Sequence, residues 1–192
     1  MGMSLWKGAS SRGRRIMIIV AFLLFAVLVT IIGILAPLSS QQIASENSEL
    51  NSTQQQIQGM DFAHRTVAIF LNNFEICLLM FVPFLGIFIG TFTLFNTGSV
   101  LAAQTITINA SNAARIPPIP AVPPILVFGF LFVFPFAWLE FISYSTALSE
   151  GFWLIRRGLQ GELKREIKNL GKLILITAAL LAAGALIEAA LI

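Results

Sequence analysis

Ile16 to Ala36 runs for 21 residues without a charged side chain. A helix of about 20 apolar residues is what the hydrocarbon thickness of a bilayer requires, so this one stretch already restricts the fold. The rest of the chain agrees with it: 57% of its 192 residues are hydrophobic and 11% are charged, with a mean hydropathy of +0.86. A soluble domain carries roughly 25% charged residues, and the composition is therefore that of an integral membrane protein. Apolar runs here are continuous and do not alternate every second residue, which argues against a transmembrane β-barrel. The expected fold is all-α: a polytopic transmembrane helical bundle forming one membrane domain, 16–192, behind a basic tail, 1–15. The single cysteine, Cys77, allows no internal disulfide and no cysteine metal cluster.

The placement of the cations predicts the topology. Of twelve Lys and Arg, four are in the tail (Lys7, Arg12, Arg14, Arg15) and six lie between Arg156 and Lys172. Only Arg65 and Arg115 stand elsewhere. Cations beside span ends stay cytoplasmic, so the tail and the 155–172 loop are placed in the cytoplasm of a multi-pass cell-membrane protein. Short basic segments against apolar spans are no footprint for nucleic acid. The first apolar run exceeds the roughly 7–15 residues of a cleavable signal and predicts an uncleaved anchor. Thr66 to Ala103 is long for one span and short for two. A single crossing would put the cation-poor 104–124 segment inside and the six-cation loop outside, against the rule. A short or broken hairpin, forming the second and third of about five crossings, satisfies it. Its break is expected at Pro83, Gly86 or Gly90, where neighbouring protein satisfies the freed backbone groups.

Between the spans, the external polar segment 38–65 carries Ile43, Leu50 and Ile57 at intervals of seven residues. That is a thin-striped helix, lying on the outer surface, meeting a partner, or serving as a solvated linker. Asn51 and Asn109 stand in glycosylation acceptor patterns, and the sequence leaves their modification open. The external 104–124 loop ends in PPIPAVPP, Pro117 to Pro124, a stiff extended spacer. Ile125 to about Trp153 reads as one long Phe-rich span. RRGLQGELKREIKNLGK then reads as a short amphipathic cytoplasmic helix near anionic headgroups, ahead of a final span, Leu173 to Ile192.

Asn72, Asn73, Glu75, Asn96, Glu140, Glu150 and Glu188 fall inside the apolar segments. Ionisable groups at the centre of a span cost on the order of 2.5–3.5 kcal/mol on insertion scales, so their retention needs a reason. No sequence neighbour supplies any of them with an intramembrane Lys or Arg. One reading is a structural polar network of Asn72, Asn73, Glu75, Asn96, Glu140 and Glu188 bonding helix to helix; the other is a proton, ion or solute path through Glu75, Glu140 and Glu188. Gly86, Gly90, Gly98 and Gly151 are helix-packing positions. His64, the one histidine, follows Asp61 by three residues, a spacing for capping or pairing. No metal-ligating, nucleophilic or phosphate-binding motif is present, so neither enzymatic activity nor a cofactor or metal is expected.

LNNFEICLLMFVPFLGIFIGTFTLFNTG, from Leu71 to Gly98, resembles the core of the stage II sporulation protein M family, with its L-N-N start, spaced glycines and F-N-G turn. Here the turn element reads Phe95-Asn96-Thr97-Gly98, one residue longer. A P-H-G-x-x-E element is matched by Pro135 to Glu140, with Phe136 and Ala137 replacing its His and Gly, and with Gly151 following. An A-x-x-I-E-A helix end is matched by Ala185 to Leu191. The resemblance implies a polytopic membrane protein without established catalysis; one family member in sporulating bacteria is a scaffold for cell-wall hydrolases. The expected function is a non-catalytic membrane scaffold or accessory subunit. Its partners would be other integral membrane proteins and lipid, with an oligomer as a further option. A transporter or channel-like protein using the intramembrane carboxylates is the alternative.

Overall fold

A computed structural model describes residues 11–115, 119–161 and 163–192. Most of the basic tail, Pro117 and Glu162 lie outside the described residues. The rest is all-α, in seven helices: α1 (Ser11–Leu35), α2 (Ser40–Gln58), α3 (Phe62–Met80), α4 (Leu85–Ala113), α5 (Pro124–Leu131), α6 (Pro135–Leu159) and α7 (Leu163–Leu191). α1, α4 and α7 are each long and apolar enough to cross a membrane, and α5 with α6 supplies a fourth span if that pair, bent by 88°, is taken as one. The chain is a multi-pass membrane protein.

α3 and α4 run in opposite directions across a tight turn, although α3 is not among the helices long and apolar enough to cross a membrane alone. α3 starts at one end of the bundle, where Arg65 donates to the carbonyl of Ala189 near the end of α7 (3.3 Å). Its other end, Met80, is fully buried and packs against Gly151 in the second half of α6. The chain turns there, and α4 leads back until Thr107 meets Asn47 of α2 (2.7 Å). The turn is built at Pro83, where its carbonyl accepts the N–H of Leu85 (2.7 Å) around Phe84, at φ 63° and ψ −58°. An i to i+2 bond with those angles is the strained form of γ-turn. Gly86 and Gly90 are not the break: both lie inside α4 as contact points.

α6 is the central helix. From Ser143 to Gly151 every residue is buried, although four of them are Ser or Thr and one is Glu. Ser143, Ser145 and Thr146 donate to the carbonyls of Leu139, Phe141 and Ile142, four residues back. Back-bonding hides each hydroxyl, and small side chains let several helices approach one axis. α1 crosses α4 just as closely: a Cβ on Gly98 would strike the carbonyl oxygen of Thr30, and one on Gly33 that of Phe95.

Three expected boundaries are revised. The long Phe-rich span is two helices, since Pro135 sets its own helix start and packing of Phe132 on Trp138 and Phe141 (centroids 5.0 and 5.2 Å) holds the corner. The separate amphipathic helix is the first part of α7, which runs unbroken from Leu163. Asn96 to Gly98 are mid-helix in α4 and make no turn. α2 forms as its stripe predicts: Ile43, Leu50 and Ile57 are half-buried, together with Glu46 and Asn47, and Ser39 and Gln42 form a capping box at its start. Asp61 caps α3, accepting the backbone N–H of His64 (3.0 Å) and facing its ring Nδ1 (2.7 Å).

Candidate functional site: two polar centres in an apolar bundle

The first centre joins α3 to the start of α6 and the end of α7. Asn73 lies on the inner face of α3 and donates through Nδ2 to Glu140 Oε1 at 2.7 Å. Asn72, one residue earlier and exposed, donates to Asn73 Oδ1 at 3.3 Å. Glu188 of α7 is half-buried and within electrostatic reach of Glu140. The structure therefore brings Asn72, Asn73, Glu140 and Glu188 together. It does not bring in the other two: Glu75 is exposed on the opposite face of α3, and Asn96 is exposed on α4. Gly86, Gly90, Gly98 and Gly151 are contact points, against Met80, Leu148, Thr30 and again Met80.

The second centre is at the other end, where α1 begins and α6 meets α7. Arg15 donates through Nη1 to both oxygens of Glu150 (3.2 and 2.9 Å) and through Nη2 to Glu166. Arg157 Nε adds a second cation to Glu166 at 3.3 Å. Both carboxylates are deeply buried, Glu150 at 2% and Glu166 at 4% exposure. The indole of Trp153 packs beneath the guanidiniums of Arg15, Arg156 and Arg157, 5.1, 5.8 and 5.2 Å from its ring centre. Cations over an indole face are held by its quadrupole, more strongly when desolvated. Burial raises the Glu166 carboxyl, but the hydrogen bond from Asn169, Arg15 and then Arg157 outweigh that and hold it below the usual carboxylate range.

Glu150 is thus the buried carboxylate that does have a cation, contrary to the expectation that none does. Its partner is 135 residues away in sequence, so no local spacing announces the pair. One signal was present: Arg15 abuts the first span and Glu150 precedes Arg156 and Arg157, so the positive-inside rule puts all of them at one membrane face. Lys172, Asn169 and Ile176 of α7 share a cleft with this centre.

Chemically, the first centre is an amide–carboxyl bond in an apolar setting, and the second is an ion-pair cluster that fastens α1 to α6 and α7. Removing one member of a buried pair costs about 3–5 kcal/mol because the other is left uncompensated.

No curated protein and no solved structure matches the chain. A family model described as Stage II sporulation protein M matches residues 18–191, which spans every described helix except the start of α1. The first polar centre, the α3–α4 pair and the final helix lie within that match, as does the second centre apart from Arg15, and the chain belongs to the Stage II sporulation protein M family.

Proposed function

We propose that this protein is a non-catalytic membrane scaffold or accessory subunit that binds other integral membrane proteins, with its basic end in the cytoplasm and α3 and α4 as the second and third of about five crossings. The observation that carries the reading is the outward face of α3. Leu71, Asn72, Glu75, Leu78 and Leu79 are all exposed there, and Glu75 has no hydrogen-bond or ion-pair partner among the described residues. Its level on α3 is that of the Asn73–Glu140 bond, midway along the helix. A carboxylate and an amide facing hydrocarbon are costly; facing a partner helix with donors, they become contacts.

The test is co-purification in mild detergent from the native membrane. A partner membrane protein is expected with the native chain and is lost with Glu75→Leu or Asn72→Leu, changes that make the face more lipid-compatible and leave the folded bundle intact. Partners kept at native levels by both variants would refute the reading. The transporter alternative rests on Glu140 and Glu188, the carboxylates at the first centre. Proton or cation flux in reconstituted vesicles, abolished by Glu140→Gln with Glu75→Leu without effect, would favour it instead.

A further inference from the structure

At the basic end a cleft of about 710 Å³ lies between α1 and α7, with part of α6 as its floor. That is within the roughly 300–1,000 Å³ of small-molecule sites. Its walls divide by chemistry. Ile16, Ile19 and Ile176 form an apolar side, and Ile16 and Ile176 remain more than half exposed on the bundle's outer surface. Arg15, Arg157 and Lys172 form a cationic side. Two of those cations are committed to the buried carboxylates Glu150 and Glu166. Lys172 is exposed and makes no hydrogen bond or ion pair among the described residues. The cleft therefore carries three cations against two anions, and the surplus charge is Lys172.

Its depth is also set by sequence. Arg15 directly precedes the uncharged 16–36 run, and Lys172 directly precedes the uncharged 173–187 run. Both stand at the edge of the hydrocarbon, where lipid phosphates lie.

We propose that this cleft binds an anionic phospholipid, its phosphate at Lys172 and the head of the Arg15–Glu150–Glu166 cluster, and one acyl chain along Ile16, Ile19 and Ile176. A phosphate balances the surplus cation, and the apolar wall continues into the bilayer. The site is independent of the α3 face.

Native mass spectrometry of the detergent-purified protein tests it, with phosphatidylglycerol and phosphatidylcholine of equal chain length added in turn. The native chain should retain phosphatidylglycerol about fivefold better, the worth of one cation near an anionic headgroup. Lys172→Glu should abolish that preference, Lys172→Gln should reduce it, and Arg115→Glu, remote from the cleft, should leave it. Ile176→Trp, which fills the apolar side, should lower retention of both lipids. Equal retention of the two lipids by the native chain, or a preference undiminished in Lys172→Glu, would overturn the proposal. So would free glycerol phosphate displacing phosphatidylglycerol at equal concentration, because the site would then be one for soluble phosphate. Lys172 is exposed, so its variants are read on folded protein.

Discussion

Phe84 holds a backbone conformation that L-residues avoid, and its side chain gains little in return, since it is 64% exposed. A left-handed residue costs roughly 1–2 kcal/mol unless it is glycine. Phe84→Gly should therefore unfold at a higher temperature than Phe84→Ala in detergent, by about the equivalent of that cost, and the reverse order would mean the turn is unstrained. Glu166 makes a separate prediction about acid. Its carboxyl sits below the ordinary value of 4.5 when folded, so on acidification the unfolded chain takes the proton first. The stability it adds is present above that value and is lost as pH falls through the folded one. Comparing thermal midpoints of the native chain and Glu166→Gln from neutral to acid pH checks this: the native advantage should be full near neutrality and vanish in acid. A constant gap would place the contribution of Glu166 in something other than its charge. Neither residue was readable beforehand. A γ-turn centred on Phe has no sequence signal, because the residue that fits it is glycine, and the partners of Glu166 include one on another helix far earlier in the chain.

Among elements, the α1–α4 crossing depends on two glycines facing each other's backbones. Backbone atoms do not move aside as a side-chain tip does. A Cβ on Gly98 would overlap the Thr30 carbonyl and come within 2.9 Å of the Ile34 nitrogen. Gly98→Ala should lower stability by about 1–3 kcal/mol, the usual cost of overpacking. Gly129 of α5 has nothing within 4 Å of the equivalent position, so Gly129→Ala should be neutral or raise stability by roughly 0.5–1 kcal/mol. Differential scanning fluorimetry of the two variants checks the contrast; equal effects would remove the crossing from the account. Helices whose signal is local were legible: α1 from its uncharged run, α2 from its seven-residue stripe, and α7 from its apolar end. The corner between α5 and α6 was not, because a continuous apolar run looks the same whether its helix is straight or bent. Gly33 is silent in the sequence for a related reason. One glycine in a Leu/Ile-rich span shows no pattern until its partner Gly98 is placed beside it.

For the whole molecule, charge placement calls for a pair of crossings over 66–103, and the contacts of Met80, Thr107 and Arg65 give two antiparallel helices there, of which α4 alone has the length and apolarity of a span. Which face of the membrane holds the basic end is a matter for labelling. Cys77 is completely buried, so introduced cysteines are read without background. Cysteine at the exposed Ser48 and Ser111 should react with an impermeant maleimide from outside intact cells, and cysteine at the exposed Gln160 only after the membrane is opened. Ser111 reacting only from the cytoplasm would refute the cytoplasmic assignment of the basic end. The polar residues show where a charge-based reading stops. It marks which side chains are costly in hydrocarbon, but the face of α3 decides their use: Asn73 turns inward to Glu140, while Glu75, two residues later, turns outward.

The tie from Arg15 to Glu150 and Glu166 also imposes an order in time. Arg15 leaves the ribosome well over a hundred residues ahead of both carboxylates. At a synthesis rate of about 5–20 residues per second, its guanidinium waits on the order of ten seconds for them. During that interval α1 stands in the membrane with its strongest contact unmade. The bundle is locked only once α6 and the head of α7 have been translated, so a ribosome stalled between them leaves an assembled but unfastened intermediate.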